Sequence, residues 1–220
     1  MTMSLKAPPL PEQDVRRLLD SLPALPQARL PTPLLIETVG LPGTGKSTWS
    51  RRLARELGAV VLESDAVRSL LVSIPAHSTA ENRRVFRALH AVAQSLLAQS
   101  ISVIIDATSL RERDRRPIGA IAAVTGARLV VLHFTAREPV IEQRLARRTE
   151  PGTSDTSTAD IDVYRRMAET VQTPAQVDWL IDTSDPAAAE SLFWRVVASC
   201  RTGAGTTASL TGQGRTGGNP

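Results

Sequence analysis

The sequence predicts an α/β domain, a three-layer sandwich with a central, mostly parallel five-stranded sheet and a helical lid. Three observations predict it. Short apolar runs alternate with stretches of helical periodicity, as in repeated β–α–β units. The first apolar run, residues 34–39, reads as buried on both faces, like a strand of a helix-covered parallel sheet. A glycine-rich turn, residues 40–45, joins that run to the next helical stretch. With 220 residues, the chain can bury a substantial single core.

The elements follow in order. Residues 1–33 hold seven prolines and read as an arm. Within it Val15, Leu18, Leu19 and Leu22 recur at helical spacing, which predicts one short helix over 12–22 that packs on the core. Glu37 interrupts the first strand, and a buried acid there is expected to be paired at the strand's end. A helix over 49–57 is closed by Gly58. Residues 59–62 form the second strand, with Glu63, Ser64 and Asp65 at its carboxyl end. The longest helix is expected over 79–99, with Val85, Leu89, Val92 and Leu96 in its apolar stripe and His90 packed beside it. Residues 101–105 form the third strand, which ends in Asp106. Over 111–126 the pattern is helical, and Pro117 must begin a helix or kink one. A fourth strand over 128–134 and a helix over 137–148 follow. The polar stretch 151–159 reads as a mobile loop, and Ser157 with Asp160 resembles a capping box for a helix over 161–170. The fifth strand is placed at 178–181 and the last helix at 186–200. Residues 34–200 thus make the domain, and the Gly-, Thr- and Ser-rich tail 201–220 is expected to be disordered from 202 on.

Composition narrows the possibilities. The net charge of +4 suits phosphorylated ligands and makes nucleic acid a possible but unsupported partner. Aromatic residues are 3 %, and no platform for stacking bases can be picked out. No apolar run approaches the roughly 18 residues of a membrane span. Residues 1–11 lack the apolar core of a secretory signal. The single cysteine, Cys200, allows no internal disulfide and no metal cluster. A cytoplasmic protein with no membrane association and no evident obligate protein partner is expected.

Four groups of residues carry chemistry. Gly40-Leu41-Pro42-Gly43-Thr44-Gly45-Lys46-Ser47-Thr48 has the spacing G-x-x-x-x-G-K-S of a P-loop, with a strand before it and a helix after it. Its backbone N–H groups would cradle phosphates, Lys46 would reach the terminal ones, and Ser47 would hold Mg²⁺. Asp65 and Arg68 lie at i and i+3 of a helix start and are expected to face the same way. They read either as a base with an acceptor-binding guanidinium or as a helix cap with a surface pair; the strand-end position favours the former. Asp106-Ala107-Thr108 puts an acid at the end of an apolar strand, where it can hold Mg²⁺-bound water or orient an acceptor. No glutamate follows Asp106, which argues for transfer to an acceptor over hydrolysis. Arg144 and Arg148 share a helix face, either as lid arginines for a transferring phosphoryl group or as a solvated basic face.

On these residues the chain resembles a small P-loop kinase of the AAA-type predicted-kinase group, similar to polynucleotide 5′-hydroxyl kinase and zeta-toxin kinases. The resemblance runs from about residue 34 to 181. It rests on GLPGTGKST at 40–48, D-x-x-R at Asp65 and Arg68, VIIDAT at 103–108 with RERDRR after it, R-x-x-x-R at Arg144 and Arg148, and DTSTADIDVYRRM at 155–167. It implies a P-loop core that uses ATP and Mg²⁺. It also implies Asp65 as general base, Arg68 as an acceptor contact, Asp106 and Thr108 as active-edge groups, and Arg148 as a transition-state arginine. The roles of Arg115 and Arg116 stay open, because the sequence around Pro117 departs from the pattern. The expected function is an ATP-dependent kinase acting on a hydroxyl-bearing acceptor. The alternatives are a nucleotide-gated binding or regulatory ATPase and, behind it, a polynucleotide 5′-hydroxyl kinase.

Overall fold

The computed structural model describes residues 12–148 and 160–203, the side chain of Arg148 excepted. Among these residues five strands form one sheet: β1 (Leu34–Val39), β2 (Ala59–Glu63), β3 (Ser102–Asp106), β4 (Arg128–Thr135) and β5 (Trp179–Asp182). The order is β2-β3-β1-β4-β5, and every adjacent pair is parallel. The helices are α1 (Glu12–Asp20), α2 (Lys46–Leu57), α3 (Ser64–Leu71), α4 (Thr79–Ala98), α5 (Glu112–Thr125), α6 (Glu138–Arg148), α7 (Ile161–Ala168) and α8 (Pro186–Thr202).

Side chains of a strand alternate between its two faces, so the two cores interleave along β1. Leu34 and Ile36 pack with Trp49 and Leu53 of α2 and with Phe193 and Val196 of α8. Leu35 packs on the opposite face with Val85, Leu89 and Val92 of α4 and with Ile118 of α5. All six residues of β1 are consequently buried. Because β1 has β3 on one side and β4 on the other, its carboxyl end opens onto the crevice where parallel sheets bind ligands. The arm helix joins the α4 face through Leu18. The buried Asp14 fixes it there, accepting from Arg84 Nε and Nη2, both at 2.7 Å.

Two boundaries bear on the site. α2 begins at Lys46, three residues before the apolar periodicity, so Lys46, Ser47 and Thr48 form its first turn. β2 runs on to Glu63, which lies in register with Asp106 of β3. Elsewhere α5 passes through Pro117 as one helix. Asp160 itself caps α7, accepting at Oδ1 from the Val163 N–H at 2.8 Å. Ser157, the expected loop 151–159 and the tail beyond 203 lie outside the described residues. His90 packs as expected: its Nε2 is buried without a hydrogen bond, and burial pushes its pKa down to about 4.

Glu37 departs from the expectation. It is the fourth residue of β1, not its end, and is 2 % exposed. Among the described residues it forms no ion pair; the Ser109 side chain hydrogen-bonds it, and its Oε1 has no partner. Burial raises its pKa from 4.5 to about 7, against the smaller downward pulls of Ser109 and Arg115. The native state therefore holds this proton where the unfolded chain has released it. The stability from Glu37 is present below pH 4.5 and is lost as the pH rises through 7. Glu37→Gln is expected to remove that loss. Denaturant unfolding at pH 8 should find the variant more stable than wild type by up to about 3 kcal/mol, with the difference shrinking toward pH 5. His90 has the opposite slope, but both proteins carry it, so it drops out of the comparison. A difference that did not change with pH would mean that ionisation of Glu37 is not the cost.

Candidate active site

The loop between β1 and α2 takes its shape from glycines in left-handed backbone conformations. At Gly43 φ is +81°, and a Cβ would stand 2.8 Å from Ile141 Cγ2. At Gly40 a Cβ would stand 2.5 Å from the Phe134 carbonyl oxygen, so no larger residue fits. Gly45 caps α2 and brings no side-chain oxygen to the helix's first N–H groups. A helix start without a side-chain cap presents its first N–H groups and the positive end of its dipole as the kind of place where an anion binds. Lys46 is 8 % exposed, and its Nζ donates to the Leu41 carbonyl at 2.9 Å. The Thr44 hydroxyl donates to the same carbonyl at 2.7 Å.

The end of β3 lies against this loop. Asp106 is 5 % exposed; its Oδ1 accepts from the Thr38 hydroxyl at 3.3 Å, and its Oδ2 is buried without a hydrogen bond. Burial raises the carboxyl's pKa, while the Lys46 charge and the Ser47 hydroxyl beside it pull it down. The Gly40 N–H donates to the Thr108 carbonyl at 3.1 Å and stitches the glycine loop to the β3–α5 connection. Lys46, Ser47, Asp106 and Thr108 thus come together at one sheet edge. The unpartnered Oδ2 and the nearby Ser47 hydroxyl are a donor set that suits Mg²⁺, which takes few protein oxygens and completes its shell with water and phosphate. Among the described residues no group of three or more His, Cys, Asp or Glu could hold a metal ion by itself.

Asp65 is the second residue of α3, half-buried, two residues after the Glu63 that pairs with Asp106. Among the described residues its carboxylate makes no hydrogen bond or ion pair. Arg68, three residues on, is engaged elsewhere. It is 6 % exposed, paired with Glu81 of α4, and it donates from Nη2 to Asn82 Oδ1 at 2.7 Å. Glu81 Oε2 in turn accepts from the Ala76 N–H at 2.8 Å. Of the two readings of Asp65 and Arg68, the surface pair does not form; Arg68 instead ties α3 to α4 and shapes their connection. Helical spacing predicted which residues shared a turn but not that α4 would bring an acid underneath.

On the far side of the loop, Ile141 and Leu145 of α6 pack against Gly43. Arg144, from the same helix, donates to the Gly43 carbonyl and to Thr183. Arg148 closes α6, and its side chain lies outside the described residues. Two more groups matter here, the first with no forerunner in the sequence reading and the second with its role left open there. Thr183, directly after β5, is one; its place at the end of a parallel strand was the available signal. The other is Arg115, buried and donating to the Ser109 and Gln172 carbonyls at 2.8 and 3.2 Å. It anchors Ser109, a non-glycine residue at φ +46° that also holds Glu37.

A family model described as an AAA domain matches residues 35–174. No curated protein matches the chain. Solved structures do. The Mycobacterium tuberculosis APS kinase CysC, in complex with AMPPNP and APS, is 20 % identical, with 76 % of this chain and 97 % of that one covered and a TM-score of 0.57. Chaetomium thermophilum Kti12, in complex with ADP-AlF3, is 19 % identical, with 76 % and 98 % covered and a TM-score of 0.59. A gluconokinase from Sinorhizobium meliloti is 22 % identical, with 80 % and 93 % covered and a TM-score of 0.51. At these identities the likeness is one of fold alone. Among the described residues no helix is long and apolar enough to cross a membrane.

Proposed function

The chain belongs to the AAA domain family, and from that premise we propose that it is an ATP-dependent kinase that moves the γ-phosphoryl group of ATP to a hydroxyl of a small acceptor. One observation carries the reading. Lys46, Ser47 and an Asp106 with an unpartnered buried oxygen stand at one sheet edge, and Asp65, one strand away, keeps its carboxylate unengaged among the described residues. That is a donor site with a base beside it.

The residues divide the work. The N–H groups of the glycine loop and Lys46 bind the β- and γ-phosphates. Mg²⁺, when bound, would be held by Ser47 and Asp106 and would neutralise charge on the triphosphate. The acceptor hydroxyl attacks the γ-phosphorus. Its oxygen bonds to phosphorus as the bond to the β-phosphate oxygen breaks, ADP leaves with that electron pair, and Asp65 takes the hydroxyl proton. Arg148, at the end of α6, supplies charge to the transferring group. Arg68 acts behind this edge, through the α3–α4 connection, rather than on the acceptor itself. We assign the catalytic unit to residues 34–200 and a buttressing role to the arm.

A small acceptor is preferred because the solved relatives include an APS kinase and a gluconokinase. The modest net charge gives no special case for a polynucleotide. ADP release, followed with ATP alone and then with nucleosides, sugars, sugar acids, aminoglycosides or 5′-hydroxyl oligonucleotides, tests the proposal. One class of small acceptor is expected to raise ADP release at least about tenfold over ATP alone. Stimulation by oligonucleotides alone would move the assignment to a polynucleotide kinase. No stimulation by any class, with slow release throughout, would favour a nucleotide-gated binding protein.

A further inference from the structure

We propose that Thr183 and Arg144 are positioning residues for the P-loop, holding the Gly43 and Thr44 carbonyls so that the N–H groups across those peptides face the bound phosphates. The inference rests on the nucleotide-binding half of the reading above and needs no acceptor. The Thr183 hydroxyl donates to the Thr44 carbonyl at 2.9 Å. Arg144 Nη1 donates to the Gly43 carbonyl at 3.1 Å and to the Thr183 hydroxyl at 2.8 Å, and Nη2 donates to the Thr183 carbonyl at 2.8 Å. Thr183 is fixed in turn by its own N–H, which donates to the Thr135 carbonyl at the end of β4 at 3.0 Å. Its hydroxyl therefore receives one hydrogen bond and directs its single proton mainly to Thr44, with the Thr135 carbonyl a longer second acceptor at 3.4 Å; Thr183 is 5 % exposed.

The consequence follows from peptide geometry. In a trans peptide the carbonyl and the next N–H point in opposite directions. A Gly43 carbonyl held toward α6 turns the Thr44 N–H away from α6, and a Thr44 carbonyl held toward Thr183 does the same for the Gly45 N–H. The Thr44 N–H donates to the Leu41 carbonyl at 3.4 Å, the carbonyl that also receives Lys46 Nζ, a long bond that an arriving phosphate would replace. Left alone, a glycine-rich loop samples many peptide orientations. Here two side chains from remote elements fix two successive peptides before any phosphate arrives. Preorganised donors are what makes an anion site effective.

The test is ATP affinity by calorimetry, beside thermal melting without nucleotide, for wild type, Thr183→Val, Thr183→Ser and Arg144→Lys. Valine keeps the shape of threonine and loses every hydrogen bond of the hydroxyl. Thr183→Val is expected to weaken ATP binding about tenfold, the scale of one hydrogen bond, and to lower nucleotide-free melting by no more than several degrees. Thr183→Ser, which keeps the hydroxyl, should stay within about twofold of wild type. Arg144→Lys, a single point donor facing three acceptors, should weaken binding several-fold and keeps the test open if Thr183→Val does not fold. Wild-type affinity in Thr183→Val or in Arg144→Lys, or a Thr183→Ser as weak as Thr183→Val, would overturn the proposal. A wild type that bound no ATP would overturn the nucleotide reading itself, a different and distinguishable result.

Discussion

Lys46→Ala is expected to abolish phosphoryl transfer, lowering kcat/KM by at least about 10³-fold. The loss should be large for a structural reason. Lys46 is 8 % exposed and is held across the loop by the Leu41 carbonyl, in surroundings where bulk water cannot take over its charge. It also pulls down the pKa of Asp106, which burial otherwise raises. Removing it would therefore cost the proposed phosphate contact and leave Asp106 more readily protonated. Steady-state kinetics over a range of ATP concentrations checks this. Activity within tenfold of wild type would mean that the glycine loop is not the donor site.

Asp65→Asn is expected to slow transfer by about 10²–10⁴-fold while leaving ATP affinity nearly unchanged. Asparagine keeps the shape of aspartate but cannot take up a proton. Because Asp65 makes no side-chain hydrogen bond among the described residues, the change should not unsettle α3. Its place on α3, outside the glycine loop, is why kcat and nucleotide affinity should separate. Calorimetry with ATP and single-turnover transfer, run on the same preparation, measure the two quantities. Transfer at the wild-type rate would reassign the base. A parallel loss of ATP affinity would place Asp65 among the nucleotide contacts.

What the sequence disclosed depended on distance along the chain. The glycine loop, β1 from Leu34 to Val39 and the left-handed cap at Gly58 were legible because each is set by neighbouring residues. The alternation of strands and helices was enough for the layered architecture and for placing the P-loop, Asp65 and Asp106 along one edge. Side-chain partners were not legible. Thr183 reaches Thr44 across 139 positions and Arg144 reaches Gly43 across 101, and no periodicity encodes such pairs. Arg68 shows the same limit at short range. Helical spacing put it beside Asp65, but the turn into α4 offered Glu81 only 13 residues on, and the buried pair formed there. Glu37 inverted a statistical rule. Buried acids are usually paired, and this one is held by a serine from the β3–α5 connection and kept close to neutral by burial.

The fate of the γ-phosphate tests the central claim most directly. ATP labelled at the γ position, incubated with wild type and an acceptor that stimulates ADP release, is followed to all labelled products. The expected result is label on an acceptor hydroxyl in an amount matching the ADP formed, and none with Lys46→Ala. Label recovered only as inorganic phosphate, at one rate with and without every acceptor, would contradict it.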